Sequence, residues 1–95
     1  MPNIIIQKII ENDFGWECTV LVSDDNGQTE HLVTVRKDTY LKLTGKQHTP
    51  EELVTKSFEF LLERESKESI LREFTLDTIG QYFPEWEKEI MKQMK

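Results

Sequence analysis

The chain lacks the cysteine pairs that would cross-link it and the long apolar runs that would anchor it in a membrane. Cys18 is the single cysteine, which excludes a disulfide framework and the paired-cysteine patterns of zinc and redox sites. The longest apolar runs, such as Ile4-Ile5-Ile6, are far too short to span a bilayer. The N-terminus lacks the charged and apolar regions of a signal peptide. These absences predict a cytoplasmic protein without membrane contact.

Motifs for catalysis and cofactor binding are also missing. The four glycines are scattered and form no phosphate-binding or dinucleotide-binding loop. The two histidines, His31 and His48, belong to no HExxH motif, and lone histidines seldom make a metal site. We expect no catalytic, metal or cofactor residue and lean against an enzyme. The chain contains the residue types for a Cys/His or Ser/His/Asp site, so counting residues does not exclude one. Cys18, however, is predicted to point into the core.

Charge and length limit the function further. Eighteen acids against twelve bases give a net charge of −6, which opposes general nucleic-acid binding. Ninety-five residues without a Pro/Gly/Ser linker or an internal repeat predict one domain, residues 1–95.

Three strands are predicted in the first part of the chain, at residues 4–10, 16–23 and 29–36. Asn26-Gly27, between the second and third, predicts a type I′ hairpin turn. A turn centred there gives an apolar face with three pairs: Val22 with His31, Val20 with Val33, and Cys18 with Val35. The other face then pairs Leu21 with Leu32, Thr19 with Thr34, and Glu17 with Arg36. Isoleucine occurs at both odd and even positions of the first strand, so its register stays open.

Helices are predicted from residue 38 onward. Asp38 is a candidate cap for a short helix over 39–44, ended by Gly45. Thr49, Pro50 and Glu52 form a capping box for the main helix, in which Glu52 also pairs with Lys56. Its apolar stripe, positions 53, 54, 57, 58, 61 and 62, is expected to cover the sheet, with a cofactor or partner groove as the alternative.

The C-terminal part is predicted to contain only short helical segments. Ser66 is a candidate cap for a turn, and a last helix starts at Pro84 with Trp86, Ile90 and Met94 on one side. Either this segment crosses the sheet face bearing Leu21 or a second copy does. We prefer the first, and with it a monomer over a homodimer, because the Trp86 stripe also needs a surface.

One segment is locally basic. Residues 36–46 carry four cations against one acid, and they suggest a contact for an anion or a partner. The candidate residues are Arg36, Lys37, Tyr40, Lys42, Lys46 and His48. Ordinary loop solubility is the competing interpretation.

The stretches "HLVTVRKDTYLKLTG", "TPEELVTKSFEFLLERE" and "SILREFTLDTIGQYFPEWEKEI" together resemble a family of short bacterial proteins of uncharacterised function. The resemblance covers about two-thirds of the chain, and SFEFLLERE and IGQYFPEWE are its most specific parts. It implies a small stand-alone bacterial protein and supplies no activity or site residue. In layout the chain also resembles HicB-like antitoxin domains, although its gap between strand and helix is longer.

The sequence therefore predicts an α+β fold: a three-stranded antiparallel meander covered by one main helix, with short C-terminal helices. We expect first a non-catalytic interaction or ligand-binding module for an unknown protein or small ligand. An antitoxin-like binder of nucleic acid or a toxin is the second hypothesis, and a small enzyme the third. An exposed apolar or aromatic patch would favour the first.

Overall fold

The computed structural model describes residues 2–94, in which a four-stranded sheet carries helices on one side. The strands are β1 (Asn3–Asn12), β2 (Gly15–Asp24), β3 (Gly27–Arg36) and β4 (Glu73–Thr75). The helices are α1 (Lys37–Thr44), α2 (Pro50–Leu62), α3 (Ile79–Tyr82) and α4 (Trp86–Met94). Single 3-10 turns lie at Lys67–Ser69 and Leu76–Thr78. The predicted α+β class is confirmed.

The sheet is mixed, because β4 joins the antiparallel meander β1-β2-β3 in parallel orientation to β3. Sequence reasoning missed β4, which has only three residues and lies in a segment that we assigned to a turn. Its placement depends on contacts distant in sequence, such as the bond that the Leu32 amide donates to the Arg72 carbonyl at 2.8 Å. The sheet therefore has the order β1-β2-β3-β4.

The predicted hairpin register between β2 and β3 is wrong by two residues. Asp24 is opposite Gly27, so the turn residues are Asp25 and Asn26, and Cys18 faces Val33 instead of Val35. Lys46 is the one non-glycine residue among 2–94 with a positive φ, so Asn26 does not adopt the type I′ conformation. The Asp24 carboxylate instead accepts a hydrogen bond from the Asn26 amide at 2.8 Å, which centres the turn one residue earlier.

The predicted division of side chains between the two faces nevertheless survives. A shift of two residues preserves the alternation of a strand, so each side chain stays on its face. The apolar face is buried, as predicted, and its members are Cys18, Val20, Val22, His31, Val33 and Val35. Leu32 lies on the opposite face and is 47% exposed. The specific pairs Thr19–Thr34 and Glu17–Arg36 are wrong: Thr19 is opposite Leu32, and Glu17 is opposite Thr34.

A β-bulge at Gln7 explains why isoleucine occurs at both odd and even positions of β1. The pairing with β2 shifts between Ile6 and Lys8. Ile4, Ile6 and Ile9 consequently pack against the core, whereas Ile5 and Ile10 are exposed. At the following turn, a β-carbon on Gly15 would overlap the Val35 carbonyl oxygen, so glycine is required there.

The main helix begins as the sequence predicts. Thr49 accepts the Glu52 amide at 3.1 Å, the Thr49 amide donates to the Glu52 carboxylate at 3.0 Å, and Pro50 is the first helical residue. The predicted Glu52–Lys56 pair is wrong, because Lys56 pairs with Glu59 at 3.5 Å. Asp38 does not cap α1, which begins at Lys37, but Gly45 ends it in the left-handed conformation with φ 61°.

The expectation that the C-terminal segment crosses the sheet face bearing Leu21 is wrong. Trp86, Ile90 and Met94 are buried as one stripe, but α4 packs against α1 and α2 on the helical side. The Trp86 indole N–H donates to the Ser57 hydroxyl at 3.2 Å, which accounts for a small polar residue within the stripe of α2. Ser66 precedes the first 3-10 turn without a side-chain cap.

Among residues 2–94, none of the helices combines the length and the apolar character needed to cross a membrane.

Candidate functional site

The structure pairs three of the four cations of the basic segment with carboxylates. Arg36 lies 3.2 Å from Asp38, Lys37 lies 3.6 Å from Glu11, and Lys42 lies 3.0 Å from Glu87. Exposed pairs of this kind add little to stability. They do neutralise the local field that would attract an anion, because two of the acids come from elements distant in sequence.

The other candidates of this segment are engaged or separate. The Tyr40 hydroxyl donates to the His48 carbonyl, and its ring meets Trp16 edge-on with centroids 4.9 Å apart. A ring held in this way is not presented for stacking on a base. His48 faces the Glu52 carboxylate at 3.4 Å. Lys46 is exposed, directly after the glycine that ends α1. A contact role for this set stays a prediction.

His31 is fully buried. Its Nδ1 lies 2.7 Å from the Leu71 carbonyl oxygen and its Nε2 lies 2.8 Å from the Thr29 hydroxyl. A carbonyl can only accept, so Nδ1 carries the proton and Nε2 accepts from Thr29. Burial lowers the pKa of His31, which keeps the ring neutral. The ring also contacts Phe58, with centroids 5.4 Å apart.

Cys18 is buried in the core, as predicted. Burial, together with the charge of Glu51, raises the pKa of its thiol to about 11. The thiol therefore stays protonated at neutral pH and is a poor nucleophile.

An ion cluster at the tip of the β2–β3 hairpin was not foreseen; its cation is buried and its two carboxylates are exposed. Lys67 is 2% exposed, and its ammonium lies 2.7 Å from Asp24 and 2.6 Å from Glu68. The hydrogen bond from Lys67 is the main cause that lowers the pKa of both Asp24 and Glu68. Asp24 and Lys67 are 43 residues apart, so no local pattern could reveal their pairing. The cluster fastens the hairpin to the segment that leads into β4.

A largely apolar cleft lies on the helical side, where the end of α2 meets β4 and α3. Its volume is about 170 Å³. Apolar side chains form most of its wall: Leu61, Ile70, Leu71, Phe74, Ile79, Tyr82 and Phe83. Leu71 and Tyr82 stand at its rim with 49% and 68% of their surface exposed. We call this feature the apolar cleft.

The polar part of the apolar cleft is small. Ser69 and Thr78 contribute hydroxyls, and Glu65 contributes the one carboxylate of its wall. Partial burial raises the pKa of Glu65. No group of three or more His, Cys, Asp or Glu in the described part of the chain could hold a metal ion. The arrangement suits recognition of an apolar group with a polar or cationic neighbour.

Sequence reasoning missed the apolar cleft. The cleft depends on β4, whose Phe74 packs against the core, and on the short helix α3, which brings Tyr82 into the wall. Neither arrangement follows from periodicity, because β4 has three residues and α3 has four.

No protein-family model matches this chain, and no significant match to a curated protein or a solved structure was found.

Proposed function

We propose that this chain is a non-catalytic binding module whose apolar cleft takes one apolar side chain of a partner polypeptide. The observation that carries the proposal is the cleft itself, an apolar recess with large exposed apolar side chains at its rim. Exposed apolar surface of this kind, next to a recess, is typical of protein contacts.

The size of the recess favours a single side chain over a cofactor. Small-molecule and cofactor sites typically occupy about 300–1,000 Å³. An apolar cavity of roughly 150 Å³ accommodates benzene. At about 170 Å³, the apolar cleft therefore has room for one aromatic or aliphatic side chain.

The rim is held in place before any partner arrives. The Leu71 carbonyl accepts the buried His31 Nδ1–H at 2.7 Å, and the neighbouring Arg72 carbonyl accepts the Leu32 amide at 2.8 Å. These two bonds fix the backbone beneath the exposed Leu71 side chain. A preorganised rim loses little conformational entropy on binding, which favours its use as a docking surface.

The buried reactive groups favour binding over catalysis. Both ring nitrogens of His31 are used within the core, and the Cys18 thiol is buried and protonated. Both residues therefore act in stability.

The experiment selects ligands from a displayed library of random dodecapeptides and measures their binding by fluorescence polarisation. We expect enriched peptides to share one large apolar residue, and Leu71→Glu to weaken their binding at least about tenfold through an unpaired charge at the rim. Leu41→Glu is the matched control, because Leu41 is 43% exposed on α1, away from the cleft.

Equal binding to the wild type and to Leu71→Glu would contradict the proposal, as would enrichment of peptides without an apolar residue. Circular dichroism of both variants should match the wild type, since each replaced side chain is about half exposed.

A further inference from the structure

The outer face of the sheet, which points away from the helices, has no cover within the described residues. Three large aliphatic side chains are exposed there: Ile5 at 52%, Ile10 at 49% and Leu32 at 47%. Leu21 lies beside Ile5 on the same face. The same face also carries the exposed carboxylates Glu17 and Glu30, so the meander presents four aliphatic side chains among polar and charged ones.

The strand register arranges charge on this face in a definite way. Lys8 is opposite Thr19, Thr19 is opposite Leu32, and Leu32 is opposite Glu73. One row across all four strands therefore reads Lys8, Thr19, Leu32, Glu73. A cation stands at the β1 edge of the row and an anion at the β4 edge.

We propose that a second copy of this chain covers the outer face, related by a two-fold axis parallel to the strands. Such an axis lays the β1 edge of one copy over the β4 edge of the other. It brings Lys8 of each copy opposite Glu73 of the other, in the same row, and so forms two ion pairs. A two-fold axis perpendicular to the strands and in the same plane would instead place Lys8 opposite Lys8. Aligned packing of strands is a standard arrangement of two stacked sheets.

Shape within the same row supports this axis. A depression of about 200 Å³ on the outer face is lined by Lys8, Thr19, Leu32 and Glu73, among others. The proposed axis places the protruding Leu32 of each copy over the smaller Thr19 of the other. The larger of the two middle side chains in the row thus meets the smaller one of its partner.

The edge of the sheet is a poorer place for association. β1 is an edge strand, and unpaired edge strands are common sites of self-association. The bulge at Gln7 interrupts the regular row of backbone groups that a second strand would need. The uninterrupted surface lies on the face.

The area of the outer face sets the expected affinity of the dimer. Strands about 4.8 Å apart and ten residues long, at roughly 3.3 Å per residue, give a face of about 15 by 33 Å, or roughly 500 Å² in projection. A standard interface buries about 800 Å² on each partner. The proposed dimer is therefore a weak one, whose population rises with protein concentration.

Sedimentation equilibrium on the full chain tests the proposal through reciprocal charge reversal. The wild type should show a monomer–dimer equilibrium. Lys8→Glu and Glu73→Lys should each raise the dissociation constant at least about tenfold, because each places like charges opposite each other. An equimolar mixture of the two variants should recover the dimer, because both cross-interface pairs are again of opposite charge.

Lys88→Glu is the matched control, since Lys88 is exposed on α4 in the helical layer and undergoes the same charge change. It should leave the dissociation constant unchanged. A wild type that is monomeric at all concentrations up to about 1 mM would overturn the proposal. Failure of the mixture to dimerise while the wild type does so would overturn the proposed axis.

The test of the dimer is independent of the proposed function. Leu71→Glu should not affect the dimer, because the apolar cleft lies on the other side of the sheet.

Discussion

His31 and Lys67 are polar residues whose roles are decided by partners far away in sequence. His31 binds the Leu71 carbonyl 40 residues further on, and Lys67 binds Asp24 across 43 residues. Both attach the β2–β3 hairpin to the segment before β4. Buried polar groups normally have hydrogen-bond partners, and His31 and Lys67 each have two. These residues therefore act in folding and position the rim of the apolar cleft.

The burial of His31 predicts a pH-dependent stability. The pKa of His31 lies below its ordinary value of 6.5, so between those two values the unfolded chain binds a proton that the folded chain does not. The free energy of unfolding should therefore fall as the pH drops below about 6.5. Chemical denaturation of the wild type and of His31→Gln at pH 7.5, 6.5 and 5.5 checks this, and the variant should lack the His31 part of the decline.

A second measurement covers the case in which His31→Gln fails to fold. NMR titration of the His31 ring in the wild type should give a midpoint below 6.5. A midpoint at or above 6.5 would contradict the prediction, as would equal pH dependence in the two proteins.

Helix α2 joins a local signal with a long-range one. Its start is set by neighbours in sequence, because Thr49 and Glu52 exchange hydrogen bonds across one turn. Its packing depends on the rest of the molecule. Phe58 is fully buried against His31, and its ring centroid lies 6.1 Å from that of Phe74 in β4. Ser57 leaves room for Trp86 of α4 and accepts its indole N–H.

Two substitutions in this helix should separate the two contributions. Thr49→Ala should lower the free energy of unfolding by about 1 kcal/mol through loss of the cap. Phe58→Ala should lower it by roughly 3–5 kcal/mol, because it removes a buried ring and leaves a cavity. Urea denaturation of both variants measures the difference. Equal effects would mean that Phe58 contributes no more than an exposed side chain.

The charge of the whole molecule opposes a polyanionic partner. The net charge is −6, and the cations of the basic segment are largely paired: Arg36, Lys37 and Lys42 each have a carboxylate within 4 Å. Contacts with phosphates would have to break these pairs and overcome the repulsion of the remaining acids. The long-range field therefore disfavours polyanionic partners.

We expect no detectable binding of duplex DNA or single-stranded RNA at physiological salt. The measurement is a fluorescence titration of labelled oligonucleotides over a range of salt concentrations, with Lys37→Glu/Lys42→Glu as the control variant. Micromolar affinity that this variant abolishes would contradict the prediction. Since each phosphate contact contributes about −0.9 to the log–log salt slope, four such contacts would give a slope of about −3 to −4.

The apolar cleft and the outer face show where sequence patterns stop being informative. The cleft combines α2 with short pieces, β4 and α3, whose few residues carry no periodicity. The outer face was expected to be covered by α4, because the stripe of Trp86 needs a surface. The stripe instead packs on the helical side, where α4 contacts α1 and α2 and Trp86 donates to Ser57.

The sequence by itself determined the features that depend on residues adjacent in the chain. Alternation assigned the faces of β2 and β3, the capping box started α2, and Gly45 ended α1, because each involves only a few adjacent residues. The tertiary structure decided the hairpin register, the fourth strand, the side on which α4 packs and the pairing of the basic segment. Those outcomes depend on contacts between distant residues, such as Lys67 with Asp24 and Leu32 with Arg72, whose geometry exists only once the chain has folded.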